Sequence, residues 1–176
     1  MSITFEPVET EEQRSVLAQA ADEIWHEYWP ALIGEAQTDY MVDQFQSRAA
    51  IDRDMAEHAY EYWLLRDNDG KLVGYTGGHV EPETNRFFIS KIYLYANERG
   101  KHFASAVIAF YEDLCRTRGL RAMYLTVNKH NELGIRAYVA KGFKTIDAVE
   151  TDIGSGFIMD DYIMERRPRT ANIIAE

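Results

Sequence analysis

The run "RFFISKIYLYA", residues 86–96, constrains the fold more than any other part of the sequence. Its side chains are apolar at nearly every position instead of every second one, the pattern of a strand covered on both faces and placed centrally in a sheet. The polar turn "NERGKH" follows, then a helix expected over Lys101–Arg118, apolar at 103, 106, 107, 110, 111 and 114. Gly119 lies just past its end, where a left-handed cap is wanted. The first turn of such a helix has N–H groups without intrahelical partners and carries the positive end of the helix dipole, so the junction suits an anion. Arg99 and Lys101 add fixed charge beside the amides of residues 100–105. His102 stands where a phosphate-cradling loop would usually carry glycine. As a first-turn residue it is expected to hold ordinary helical angles, and its imidazole to point away from the phosphates.

The remaining elements read outward from this strand. "ITFEPVE" is a short opening strand, and Thr10 begins "TEEQ", a capping box with Gln13. A helix follows to near Pro30, a second helical region from Thr38 through "DYMVDQFQS", and a third from Ser47 to His58. "YEYWLLRD", the turn "NDG" and "KLVGYTGGHVE" form a hairpin. "RAMYLTV" is a strand with Met123, Leu125 and Val127 on one face; Asn131 then caps a helix through Lys141, closed by Gly142. "FKTIDAVE" and "GFIMDDYIMER" are two last strands joined by "DIGSG". Together these make one mixed α/β sheet in a single domain over residues 1–166, with a mobile tail at 167–176.

Charge is divided unevenly. Residues 1–85 hold 18 acidic and 5 basic side chains, net −13, whereas residues 86–176 hold 11 and 14, net +3. One half could face a cation and the other an anion, while the overall −10 disfavours nucleic acid as a partner. No run of 18 apolar residues exists to span a membrane, and the N-terminus lacks the basic and apolar regions of a signal peptide. The lone Cys115, in an apolar helical pattern, reads as a core thiol of a reducing cytoplasm. Neither HExxH, paired cysteines nor G-x-S-x-G occurs, and the five histidines have no metal-ligand spacing.

In "NELGIRAYVAKGF", Tyr138 follows Asn131 by seven residues, about two turns, so both lie on one side of that helix. A phenol there could protonate a leaving group. Candidate bases are Glu81 and Glu83 at the end of the third strand, His79, and Asp160 or Asp161, adjacent carboxylates on opposite strand faces.

From about Ile3 to Glu165 these motifs resemble the GNAT superfamily of acetyl-CoA-dependent N-acetyltransferases. Its loop Q/R-x-x-G-x-G/A is matched by Arg99, with His102 at the first glycine position and Ala104 at the second. Its N-x-x-A-x-x-x-Y-x-x-x-G-F is matched by Asn131, Gly134, Tyr138, Gly142 and Phe143. The resemblance implies an α/β (α+β) fold with a mixed, mostly antiparallel sheet of about seven strands flanked by helices. It implies acetyl-CoA as cosubstrate, without a metal. The strand Ile92, Tyr93 and Leu94 would hydrogen-bond the pantetheine, and the amides of Arg99, Gly100, Lys101, His102, Phe103, Ala104 and Ser105 would hold the pyrophosphate. Asn131 would bind the cofactor arm, Tyr138 would protonate the thiolate, and an N–H near Leu94 would polarise the carbonyl. Some relatives carry a basic glutamate five residues before the motif asparagine, where Thr126 stands here; Glu81 and Asp160 are the catalytic carboxylates expected instead. "DYM", "SKIYL" and "IMDDYIM" are similar to the bacterial spermidine/spermine acetyltransferases. That branch implies a small polyamine acceptor held by Asp39, Tyr40, Glu83 and Asp161. Family members are often dimeric, which makes a homodimer the candidate assembly. A peptide or lysine acetyltransferase, and a non-catalytic acetyl-CoA-binding module, are the alternatives.

Overall fold

The computed structural model describes residues 2–169. Seven strands form one sheet in the order β1-β2-β3-β4-β5-β7-β6. They are β1 (Thr4–Pro7), β2 (Glu61–Arg66), β3 (Leu72–Glu81), β4 (Arg86–Leu94), β5 (Ala122–Asn128), β6 (Lys144–Gly154) and β7 (Phe157–Arg166). Every neighbouring pair is antiparallel except β4 and β5, which are parallel. The mixed, mostly antiparallel sheet expected from the sequence is therefore the one found, with β4 inside it. The parallel pair follows from its connection: α5 (Phe103–Arg118) carries the chain back across one face before β5 begins.

The opposite face is covered by α1 (Glu11–Tyr28), α2 (Pro30–Ile33), α3 (Glu35–Met41) and α4 (Arg48–Glu57). Thr10 caps α1 with the reciprocal bonds of a capping box, as its sequence pattern indicates. The second helical region starts earlier than expected, at Glu35, and its "VDQFQ" stretch winds as a π-helix over Val42–Gln46. Ser47 then caps α4. The last helix, α6 (Glu132–Ala140), begins behind Asn131.

Two apolar layers result. Phe87, Ile89, Met123, Leu125 and Val127 pack against Val107, Ile108 and Tyr111 of α5. Leu64 and Tyr75 pack against Leu17, Ala21 and Ile24 of α1 and Ile51 of α4. Cys115 is wholly buried in the first layer, and burial pushes its thiol up to about 11, so it is a core thiol. Of the tail, Arg169 is held by the Glu112 carboxylate, which accepts its N–H at 2.7 Å; residues 170–176 lie outside those described.

Candidate active site

The site exists because β4 and β5 stay paired over only a short stretch. They match at Arg86–Phe88 and Ala122–Tyr124 and then part, while β4 remains on β3 to Leu94 and β5 on β7 to Asn128. A bulge contributes to the parting. Gly77 pairs with Lys91 and Gly78 with Ile89, leaving Ser90 as the extra residue. The glycines permit this close approach: a Cβ on Gly78 would lie 1.9 Å from the Phe88 carbonyl oxygen.

The bulge also reverses which side chains face which layer. Phe87 and Ile89 enter the α5-side core before it, and Ile92 and Leu94 after it. Lys91 and Tyr93 are thereby turned to the α1–α4 side, where Lys91 meets Phe45 and Tyr62, and Tyr93 meets Trp25. Tyr95 donates its N–H to Val73 of β3, at 3.1 Å. By strand alternation the N–H groups of Ile92 and Leu94 point to the opposite edge, into the gap beside β5. The resulting cleft holds about 680 Å³.

Its outer end is the turn before α5. Ala96–Glu98 form a 3-10 turn, Gly100 has φ 78°, and α5 begins at Phe103. The expectation that His102 keeps helical angles is corrected here: it is the N-cap, with φ 64° and ψ 17°, in the left-handed region. Because the helix starts later than its sequence pattern indicates, His102 is a turn residue, at a place where glycine would be unstrained. Histidine bears a cost of about 1–2 kcal/mol there. The first helical bond runs from Ala106 N–H to His102 C=O at 3.3 Å, so the amides of Phe103, Ala104 and Ser105 precede the ladder. Glu98 is buried and gripped by Lys71 and Lys101, the latter at 2.8 Å. Those bonds, Lys101 first, hold its carboxyl below the usual range. They also hold the Lys101 side chain to the turn.

The far wall comes from α6. Asn131 accepts the Gly134 N–H at 3.0 Å and the Tyr28 hydroxyl at 2.5 Å. A Cβ on Gly134 would lie 2.5 Å from Asn131 Nδ2, so the glycine that replaces the motif's alanine makes room for that amide. Tyr28, at the end of α1, also lies under the Arg99 guanidinium, 4.6 Å from ring centroid to Cζ. It thus links the turn to the α6 wall. Tyr138 lies half-buried on this wall, edge-on to Phe143 at 5.7 Å. Burial, and then the nearby Tyr28 phenol, push it up to about 12.

Of the expected cofactor contacts, Ile92, Tyr93, Leu94, Arg99, Gly100, His102, Phe103, Ala104, Ser105, Asn131 and Tyr138 all line this one cleft. Lys101 is not among the lining residues. The acceptor residues divide differently. Asp161 lines the cleft and is 5% exposed; burial, and then Asp160, raise its carboxyl to about 6. Asp160 projects from the other face and pairs with Lys129 at 2.7 Å. Glu81 is taken up by Tyr124, Thr84 and Arg86. Burial alone would raise its carboxyl, yet these bonds outweigh it and hold the carboxyl below the usual range. Glu83 is exposed in the β3–β4 turn. Asp39 is paired with His26 at 2.6 Å, and the Tyr40 hydroxyl donates to the Ile153 carbonyl at 2.6 Å. His79 lies tilted against Tyr60, with ring centroids 5.0 Å apart. None of these six residues lines the cleft. Tyr28, Lys91 and Asp54 do line it and were not anticipated as site residues. Lys91 carried a signal, an ammonium within an otherwise apolar strand.

The wedge suits a donor extended in the middle, which adds backbone bonds along β4, and phosphate-bearing at the outer end, where amides and a guanidinium converge. The chain is a member of the acetyltransferase (GNAT) family, whose model matches residues 19–143, and the protein is an acetyltransferase of that family. It is 28% identical over 151 residues to the uncharacterized N-acetyltransferase YycN of Bacillus subtilis (strain 168), across 85% of this chain and 97% of that one. In fold it is similar to the PaiA N-acetyltransferase of Thermoplasma acidophilum, solved in complex with coenzyme A. The TM-score is 0.75 at 20% identity, over 95% of this chain and 99% of the other. It is also similar to the spermidine/spermine N-acetyltransferase SpeG of Vibrio cholerae, with TM-score 0.65 at 18% identity, over 94% and 92%. Among the described residues no helix is long and apolar enough to cross a membrane.

Proposed function

We propose that the protein transfers an acetyl group from acetyl-CoA to a primary amine by direct attack. The observation that carries this reading is the convergence of the β4 edge, the amides before α5 and the Tyr138 phenol on one cleft. The β4 edge orients the donor arm, and the amides of residues 103–105 with Arg99 hold its pyrophosphate. The Leu94 N–H, on the free edge of β4, polarises the thioester oxygen. Asp161 accepts a proton as the amine nitrogen bonds to the carbonyl carbon, and Tyr138 supplies one to sulfur as the C–S bond breaks. Asp161 takes the base role because it is the cleft-facing member of its pair and is raised towards neutrality.

A polyamine acceptor is the second reading. It is supported by the likeness in fold to SpeG and by the acidic first half of the chain, net −13 over residues 1–85. The experiment is thiol release from acetyl-CoA over primary monoamines, polyamines, amino acids and peptides. Stoichiometric thiol and acetylated amine are expected with at least one class. Cofactor binding without thiol release from any class would leave a binding module instead.

A further inference from the structure

The cleft contains an ammonium group that the reaction scheme does not use. Lys91 is 4% exposed and lines the cleft with Phe45, Asp54, Tyr60, Phe88 and Asp161. Its Nζ donates to the Phe45 carbonyl at 2.9 Å and to the Tyr62 hydroxyl at 2.7 Å. The rings of Tyr62 and Tyr60 lie 4.9 and 5.5 Å away. All of these partners are neutral. Among the described residues no carboxylate forms an ion pair with Lys91, and its third N–H has no hydrogen-bond partner. A charge held this deep is costly unless it is compensated.

Part of the compensation is structural. The π-helix at Val42–Gln46 stops where Ser47 turns extended, so the Phe45 carbonyl is one of the unpaired carbonyls at a helix end. Lys91 supplies its partner. A glutamine side chain could supply the same donor without burying a charge, so this bond alone does not account for lysine. The charged groups felt by Lys91 are Asp54, which favours its ammonium form, and Arg53, which opposes it. Burial outweighs both and lowers its pKa to about 8, leaving it mostly protonated at neutral pH.

We propose that Lys91 is the specificity-determining residue of the acceptor site. It would select amines that carry a carboxylate or similar anionic group, which binds the third N–H while the amine end lies towards Asp161. The proposal rests on the amine-acceptor reading and narrows it to amino-acid-like or peptide-like substrates. The ammonium of Lys91 would bind the anionic end by a charge-assisted hydrogen bond in a part of the cleft where Lys91 itself is 4% exposed. It would repel the far ammonium of a polyamine.

Three five-carbon primary amines separate these cases: aminovalerate, pentylamine and cadaverine end in a carboxylate, a methyl and an ammonium. At saturating acetyl-CoA, kcat/KM is expected to be highest for aminovalerate, by roughly tenfold over pentylamine, and lowest for cadaverine. Lys91→Met should bring the aminovalerate-to-pentylamine ratio to about one. If that variant does not fold, Lys91→Gln, which keeps a donor for Phe45, should lose the same preference. Cadaverine as the best acceptor, or an unchanged ratio in the variants, would overturn the proposal. Should none of the amines release thiol, transfer to small amines is what fails, and binding alone then decides the anchor. Valerate, which has no amine, is expected to raise the Tm of the wild type and not of Lys91→Met; no rise in the wild type would overturn the anchor.

Discussion

Tyr138→Phe is expected to lower kcat by at least about tenfold, a lower bound on the contribution of a positioned general acid, and to leave coenzyme A affinity nearly unchanged. The substitution removes one oxygen and keeps the ring that packs edge-on to Phe143 at 5.7 Å. The fold and the cleft wall therefore persist, and only the proton is lost. The phenol is pushed up to about 12, chiefly by burial, so it stays protonated over any practical assay range. A weaker acid still suits this task, because the same apolar surroundings raise the proton affinity of a departing thiolate. The wild type should accordingly show no alkaline loss of kcat from this group below pH 10. Turnover by Tyr138→Phe equal to wild type would remove the phenol from the mechanism.

Asp161→Asn is the second large effect, a fall of roughly a hundredfold in kcat/KM, at the low end for a general base. The base form of a carboxyl raised to about 6 fills as the pH rises through that value. Wild-type kcat/KM should therefore fall on the acid side with an apparent pKa near 6, and the asparagine variant should lack that limb. Stability should move the other way. The unfolded carboxyl titrates near 3.9, so between about pH 4 and 6 the folded state binds more protons than the unfolded one. The cost of the buried charge is thus relieved as pH falls through 6, and is fully present at pH 8. Asp161→Asn should be more stable than wild type at pH 8 and gain little at pH 4. An unchanged acid limb in the variant would assign it to another group.

The two ends of the cleft differ in how far the sequence discloses them. The donor end is built from local signals. Gly100 and the helix start, Asn131 as a cap, and Tyr138 two turns on are all relations within a dozen residues, and each falls in the cleft wall. Even there, one boundary moved: α5 starts at Phe103 instead of Lys101, and that shift turns His102 from a helical residue into a left-handed cap. The acceptor end depends on register between distant strands. Whether Asp160 or Asp161 faces inward follows from β7 meeting β5 with Asp161 opposite Asn128. Lys91 reaches the acceptor side because Ser90 is a bulge residue, and no local periodicity marks that parity change. Glu81 is removed from candidacy as a free base by partners on β4 and β5, Arg86 and Tyr124. Tyr28 was legible only as an apolar helix position, while its hydroxyl crosses to Asn131, 103 residues away in the chain.

The central claim is one of position: the amides before α5 hold a diphosphate, and the β4 edge directs the thiol end of the donor to Tyr138. A crystal structure with coenzyme A tests it directly. The expected result is pyrophosphate density on the N–H groups of residues 103–105 beside Arg99, pantetheine along Ile92–Leu94, and the sulfur within about 3–3.5 Å of the Tyr138 oxygen, the separation of reacting atoms. Coenzyme A bound outside the gap between β4 and β5, or seated there with its sulfur turned away from Tyr138, would contradict it.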